Sequence, residues 1–322
     1  MIAGERKRSP AGKLIVILGP TAVGKTALSV GLAKKLDTEI VSGDSMLVYR
    51  GFDIGSAKPT MEERQGIAHH MVDILEPAQE FSVTEFQRLA AEAIAGIQAK
   101  GKIPILAGGT GLYVKSLLEG YRFNGAAEDR AYRESLERIA AEQGKEAVHA
   151  MLASVDPASA ARLHVHDFRR VVRALEVATH SAEHISQSRL LDSDGHLAYD
   201  ACVIGLSMDR MHLYERINAR AEQMMAAGLI EEVRTLLASG VPRSTQAMKG
   251  IGYKETAAYL AGEISLEEAI SSIQKSTRHF AKRQITWYRK MPYIHWVDVD
   301  GLTGGEVLAK AAGIVAGFFA GL

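Results

Sequence analysis

Along the first hundred residues, short unbroken apolar runs alternate with stretches of helical spacing. Residues 13–18, Lys-Leu-Ile-Val-Ile-Leu, have strand length, carry β-branched side chains and end at Gly19. A strand buried on both faces reads this way. Over residues 25–36 the spacing changes, and Leu28, Leu32 and Leu36 fall on one face of a helix. A second short strand is expected at 39–42, ending in Ser42-Gly43-Asp44. A helix over 83–100 follows, capped by Ser82 or Thr84 and stopped by Gly101. A third run, 103–107, ends in Gly108-Gly109-Thr110-Gly111, and a fourth lies at 203–206. Strand and helix signals in alternation predict an α/β fold with a parallel sheet flanked by helices.

From residue 117 to about 196 the strand signal disappears. Helical periodicity covers 127–143, 145–154, 157–163 and 167–179. Residues 117–199 therefore read as an all-helical domain inserted into an α/β core made of 13–116 and 200–322. The C-terminal part of that core, 211–291, is again mainly helical. Within it, 214–239 reads as one helix whose buried stripe is Ile217, Met224, Leu229, Val233 and Leu236, which leaves Arg220 solvated. Residues 1–12 are polar and basic and are expected as a flexible tail without the apolar core of a signal peptide.

Composition narrows the class. The chain has 322 residues, 47% of them hydrophobic and 24% charged, which is ordinary for a globular protein. No run approaches the roughly 20 apolar residues of a membrane span. The single cysteine, Cys202, cannot form an internal disulfide or build a cysteine zinc site. It reads as a buried strand residue, and a cytoplasmic location is expected. The 38 basic and 38 acidic residues balance, which counts mildly against a nucleic-acid partner but leaves room for a local basic groove. Arg169, Arg170 and Arg173 sit at helical spacing and suit phosphates, or else form a solvated face. Lys282, Arg283, Arg289 and Lys290, interleaved with Trp287 and Tyr288, form a second basic-aromatic cluster, or surface charges around core aromatics. His69 and His70 lack nearby cysteines and read as structural sooner than as a metal site.

The sharpest signal is Gly19-Pro20-Thr21-Ala22-Val23-Gly24-Lys25-Thr26, which fits G-x-x-x-x-G-K-[ST] between a strand and a helix. In such a loop backbone N–H groups point inward and the helix N-terminus adds partial positive charge. Lys25 supplies a full charge, and the Thr26 hydroxyl can hold Mg²⁺. The loop implies a phosphate group without choosing the reaction. Two further strand ends carry candidate chemistry, since ligands of open α/β sheets sit beyond the carboxyl ends of the strands. Asp44 can bind Mg²⁺, act as a general base, or cap a helix. The glycines of 108–111 admit close approach, and Thr110 can donate a hydrogen bond to a phosphate oxygen; a plain turn is the other reading. No apolar strand ending in a second acidic residue of the Walker B kind, with a separate water-orienting group, is evident, so transfer to a substrate nucleophile suits the residues better than hydrolysis.

Eight blocks in order resemble the bacterial tRNA isopentenyl transferase (tRNA dimethylallyltransferase) family. They are the loop at 19–26, Asp-Ser-Met-Leu-Val-Tyr-Arg-Gly-Phe-Asp-Ile-Gly-Ser-Ala-Lys-Pro (44–59), His-His-Met-Val-Asp-Ile (69–74) and Gly-Gly-Thr-Gly-Leu-Tyr (108–113). Further on come Arg-Arg-Val-Val-Arg-Ala-Leu-Glu-Val (169–177), Tyr-Glu-Arg-Ile-Asn-Ala-Arg (214–220), Ile-Gly-Tyr-Lys-Glu (251–255) and Ala-Lys-Arg-Gln-Ile-Thr-Trp-Tyr-Arg (281–289). The resemblance implies a P-loop core with a helical insertion, dimethylallyl diphosphate as donor, Mg²⁺ as cofactor, and as acceptor the adenosine beside the anticodon of tRNAs that read codons starting with U. It implies that Asp44 takes the proton from the adenine N6, that Thr110 acts at the leaving-group oxygen, and that Gly19 to Thr26 with Arg220 hold the diphosphate and, through Thr26, its metal. Contacts to tRNA would come from Asp44, Ser45, Met46 and Leu47, from Arg169, Arg170 and Arg173, and from Lys249, Gly250, Ile251, Gly252, Tyr253 and Lys254. The protein is expected as a monomer. Leu47 departs from the family, which often has Gln there. Competing readings are transfer to free AMP, ADP or ATP, a small-molecule or nucleotide kinase, and a non-enzymatic NTP-dependent RNA-binding module.

Overall fold

The apolar run at 13–18 becomes β1 (Lys13–Leu18), and its side chains alternate between two cores. Leu14, Val16 and Leu18 enter one apolar cluster, Ile15 and Ile17 the other. The period-2 alternation of a strand places both sets in hydrocarbon, which is why the run is unbroken. The computed structural model describes residues 11–121, 129–180 and 197–320. The chain divides into two compact units, Met1–Leu118 with Leu197–Leu322, and Glu119–His196.

The first unit is α/β. After β1 come α1 (Lys25–Lys35), β2 (Ile40–Ser42), α2 (Met61–Arg64), β3 (His69–His70), α3 (Val83–Gln98), β4 (Ile105–Ala107) and α4 (Gly111–Leu118). Ser82 caps α3 by accepting the Glu85 N–H, and Glu85 answers by accepting the Ser82 N–H, a reciprocal capping box. The second unit holds α5 (Arg130–Gln143), α6 (Lys145–Val155), α7 (Pro157–Arg162) and α8 (Phe168–His180). Residues 127 and 128, expected at the start of the first of these helices, lie outside the described residues, as do 1–10. The first unit resumes with β5 (Asp200–Ser207), α9 (Arg210–Ala226), α10 (Leu229–Ala238), α11 (Tyr253–Leu260), α12 (Leu266–Tyr288), β6 (Ile294–Asp298) and α13 (Gly304–Phe318).

The six strands are all parallel, in the order β3-β2-β4-β1-β5-β6. The chain leaves β1 toward β2 on one side and later adds β5 on the other. The loop after β1 therefore sits at the point where strand order reverses, where such sheets bind ligands.

Two expectations are corrected, and two strands join the expected set. The helix expected over 214–239 is two helices, because Gly228 takes a left-handed backbone (φ 102°) at the N-cap of α10. A side chain there would be strained; glycine allows the chain to turn. Residues 11 and 12, expected in the tail, are tied to the sheet: Ala11 N–H donates to the Ala198 carbonyl and Asp200 N–H to the Gly12 carbonyl. His69 and His70 form edge strand β3, with His70 Nε2 against Glu39 Oε2 at 2.7 Å. The half-exposed β6, which ends in Asp298, is the far edge strand, with β5 between it and β1.

Candidate active site

The loop at 19–26 turns through Ala22 (φ 65°) and Gly24 (φ 107°) into α1. No side chain caps α1, so the N–H groups of its first turn face the loop. Val23 points into the core beneath the sheet, 2% exposed, and contributes backbone only. The Lys25 ammonium donates to the Gly19 carbonyl at 3.0 Å and the Pro20 carbonyl at 2.8 Å. Burial lowers its pKa to about 8; attraction to Asp44 opposes the drop and repulsion from Arg220 adds to it.

Lys25 opens on a cavity of about 600 Å³. Its lining includes Thr21, Ala22, Gly24 and Thr26 of the loop, Asp44 and Leu47 beyond β2, Gly108 and Gly109 beyond β4, and Arg216, Arg220 and Gln223 on α9. The three α9 residues share one face by helical spacing, and Leu213, Ile217 and Ala221 bury the face next to it, which draws Arg220 toward the core edge. Arg220 is therefore a half-buried wall residue and not the solvated one that periodicity suggested. Burial lowers its pKa, against the pull of Glu63 and Asp44.

Asp44 Oδ1 accepts the Met46 N–H at 2.8 Å, which fixes the carboxylate in a tight turn. No helix starts here, so the helix-capping reading of Asp44 is corrected: one oxygen serves the turn, and the residue lines the cavity. Its Oδ2 lies beside Gly109. This closeness needs β2 and β4 to touch at their ends: a Cβ at Gly108 would lie 2.4 Å from backbone atoms of Gly43. Only hydrogen fits there, which gives the glycine run a steric reason. Thr110 Oγ1 accepts the Ser45 N–H at 3.2 Å, and Thr110 N–H donates to the Gly43 carbonyl at 3.3 Å. Thr110 thus braces the turn that carries Asp44 and is not itself among the residues lining the cavity.

The segments expected to touch RNA separate into two groups. Ser45, Met46 and Leu47 are half-buried, and the 249–254 segment adjoins them, since a Cβ at Gly250 would meet Met46 Cε at 2.7 Å. Lys249 and Lys254 are exposed and Ile251 is half-buried. Gly252 and Tyr253 are buried, and this corrects their assignment as surface contacts. The Tyr253 hydroxyl donates to Glu232 Oε1 at 2.7 Å and accepts the Ser56 N–H at 3.0 Å. In the helical unit Arg169 and Arg170 are exposed. Arg173 is half-buried, and its guanidinium donates to Glu176, which is 0% exposed and also receives Arg133 at 2.9 and 2.8 Å and the Asp129 N–H at 2.7 Å.

Two contributors had no sequence signal of their own. Gln284 and Tyr288, on α12, both donate to the Gly109 carbonyl at 2.8 Å. They sit in the block at 281–289, but nothing in its spacing shows that it meets the phosphate loop. Trp287 is half-buried and Tyr288 fully buried, while Lys282, Arg283, Arg289 and Lys290 are exposed, so this cluster is surface charge around core aromatics. Among the described residues no group of three His, Cys, Asp or Glu could hold a metal ion, and no helix is long and apolar enough to cross a membrane.

The IPP transferase family model matches residues 47–291. A tRNA dimethylallyltransferase of Geobacillus kaustophilus is 49% identical over 300 residues, covering 93% of this chain and 94% of that one. The crystal structure of a full-length tRNA isopentenylpyrophosphate transferase from Bacillus halodurans superposes with a TM-score of 0.72 at 42% identity, covering 95% and 96% of the two chains. A eukaryotic dimethylallyltransferase described as acting on tRNA gives 0.79 at 27% identity, with coverage of 95% and 80%. This chain belongs to the IPP transferase family.

Proposed function

We propose that the protein transfers a dimethylallyl group from dimethylallyl diphosphate to N6 of the adenosine next to the anticodon, position 37, in tRNAs reading codons that start with U. Family membership supports the reaction class. The observation that carries the reading is that Asp44 lines the same cavity as Lys25, Thr26 and Arg220. One wall can receive an anionic leaving group while the other presents a carboxylate to the nucleophile.

An exocyclic adenine amine is a weak nucleophile, so the leaving group must do much of the activation. The bond between the allylic carbon and the diphosphate oxygen breaks as the carbon–nitrogen bond to N6 forms. Developing charge on the diphosphate meets Lys25, Arg220 and the first-turn amides of α1, an arrangement preorganised for it. Asp44 takes the N6 proton, a general-base contribution commonly of about 10²–10⁴-fold. Mg²⁺ fits the donor set: Thr26 offers a hydroxyl oxygen on the cavity wall, and this ion takes few protein ligands and binds substrate phosphates. When bound it supplies further neutralisation of the diphosphate.

The test is incubation with labelled dimethylallyl diphosphate and Mg²⁺, with unmodified tRNA in one arm, AMP in a second, and ATP replacing the diphosphate in a third. Label in tRNA alone is the expected result. Label in AMP and none in tRNA would make the acceptor a free nucleotide.

A further inference from the structure

Gln284 lies 263 residues from Thr21 in sequence, yet its carboxamide joins the two loops that flank Asp44. Oε1 accepts the Thr21 N–H at 2.9 Å, and Nε2 donates to the Gly109 carbonyl at 2.8 Å. The side chain is 3% exposed, so both bonds are sheltered from water. A donor on one side and an acceptor on the other is what an amide offers; glutamate has only acceptors and lysine only donors. The turn is fitted to this approach, since a Cβ at Gly109 would sit 2.6 Å from Gln284 Nε2. Tyr288, one helical turn on, fills the second lone pair of the same carbonyl.

We propose that Gln284 is a positioning residue for the transfer reaction: its carboxamide sets the spacing between the phosphate loop and the turn of Gly109 and Thr110. That turn braces Ser45 and abuts Asp44, so the spacing fixes how far the donor's leaving group stands from the carboxylate. The inference rests on the reading given under Proposed function. A misplacement of about 1 Å at such a site can cost about 10²-fold in rate.

Gln284→Glu tests it. The introduced carboxylate still accepts from Thr21 but opposes the Gly109 carbonyl, and protonation restores a donor. The groups around it are Tyr288 on α12, Asp44 beside Gly109 and Lys25 in the loop, so the readout is the ratio of variant to wild-type kcat at saturating donor and tRNA. At pH 8 that ratio is expected to fall about 10- to 100-fold, with KM for tRNA within about 3-fold, and to recover toward pH 6. A ratio that is flat across this range, or an unchanged kcat, overturns the proposal. Thermal melting establishes folding. If Gln284→Glu does not fold, Tyr288→Phe keeps the ring and removes one donor; a kcat lowered several-fold supports the tether and an unchanged one overturns it. If the wild type transfers nothing, the functional reading fails by itself. The tether is then read from calorimetric affinity for inorganic diphosphate, which Gln284→Leu should weaken at least about 5-fold by loosening the loop; equal affinity overturns it.

Discussion

The two units each gather arginine or lysine around a carboxylate, and they do so to opposite ends. In the helical unit Glu176 is closed in by Arg133, Arg173 and the Asp129 N–H. Burial pushes its carboxyl up, but these donors together outweigh that and hold it below the ordinary value. In the α/β unit Lys25, Arg220 and Asp44 line a cavity and share no ion pair with one another in the hydrogen-bonded sense; Lys25 rests on loop carbonyls. The first arrangement is internally satisfied and organises a small core of residues such as Leu136, Leu152 and Val171. The second leaves charge facing space that a ligand can occupy. Pattern alone did not separate these, since it left Arg173 open between phosphate contact and a solvated face and put Arg220 on a solvated face.

Asp44→Asn breaks the contrast most strongly. The amide keeps the turn bond to Met46 but cannot take a proton, so kcat for transfer is expected to fall about 10²–10⁴-fold with tRNA affinity within a few-fold. Turnover near wild type would leave Asp44 a turn residue only.

Glu176→Gln attacks the closed cluster. Its NH₂ group would face a guanidinium, and about 2 kcal/mol of stability is expected to go, read as a lower melting transition with donor KM unchanged. The pH dependence has a definite sign. Because the folded-state pKa of Glu176 is lowered from 4.5, its contribution is complete above about pH 4.5 and is lost as pH falls through the lower folded-state value. The substitution should flatten that acid limb.

Lys25 gives a smaller, alkaline effect. With a folded-state pKa near 8, the ammonium is present below that pH and is lost above it. Affinity for inorganic diphosphate, measured by calorimetry, should weaken about 10-fold between pH 7 and 9, and Lys25→Arg should remove most of the pH dependence because its charge persists. The smallest effect concerns the exposed arginines. Arg169→Ala with Arg170→Ala should flatten the logarithmic salt dependence of tRNA binding by about 1 to 2. Arg173→Ala should lower the melting temperature of its unit and leave that slope nearly unchanged.

Much of the cavity's lining was legible from the chain. The phosphate loop, Asp44 and the glycine run stand at strand ends that local pattern locates, because short apolar runs and glycine breaks are local signals. The two missed strands are explained by their size and position. β3 is two histidines, and β6 is a half-exposed edge strand in which His295 and Trp296 interrupt the apolar pattern. Tyr253 was expected at the RNA only through the resemblance; its ring fills space beside Gly55 and its hydroxyl is spent on Glu232 and Ser56.

The sequence by itself determined the alternation of strands and helices, the all-helical stretch and the glycine-lysine loop after β1. Each follows from backbone sterics and side-chain periodicity within a few residues. Tertiary structure alone decided that Arg220 faces the cavity, that Arg173 is consumed by Glu176, and that Gln284 bridges Thr21 to Gly109. Those outcomes depend on which distant donor meets which acceptor once water is excluded, and no local spacing encodes that meeting.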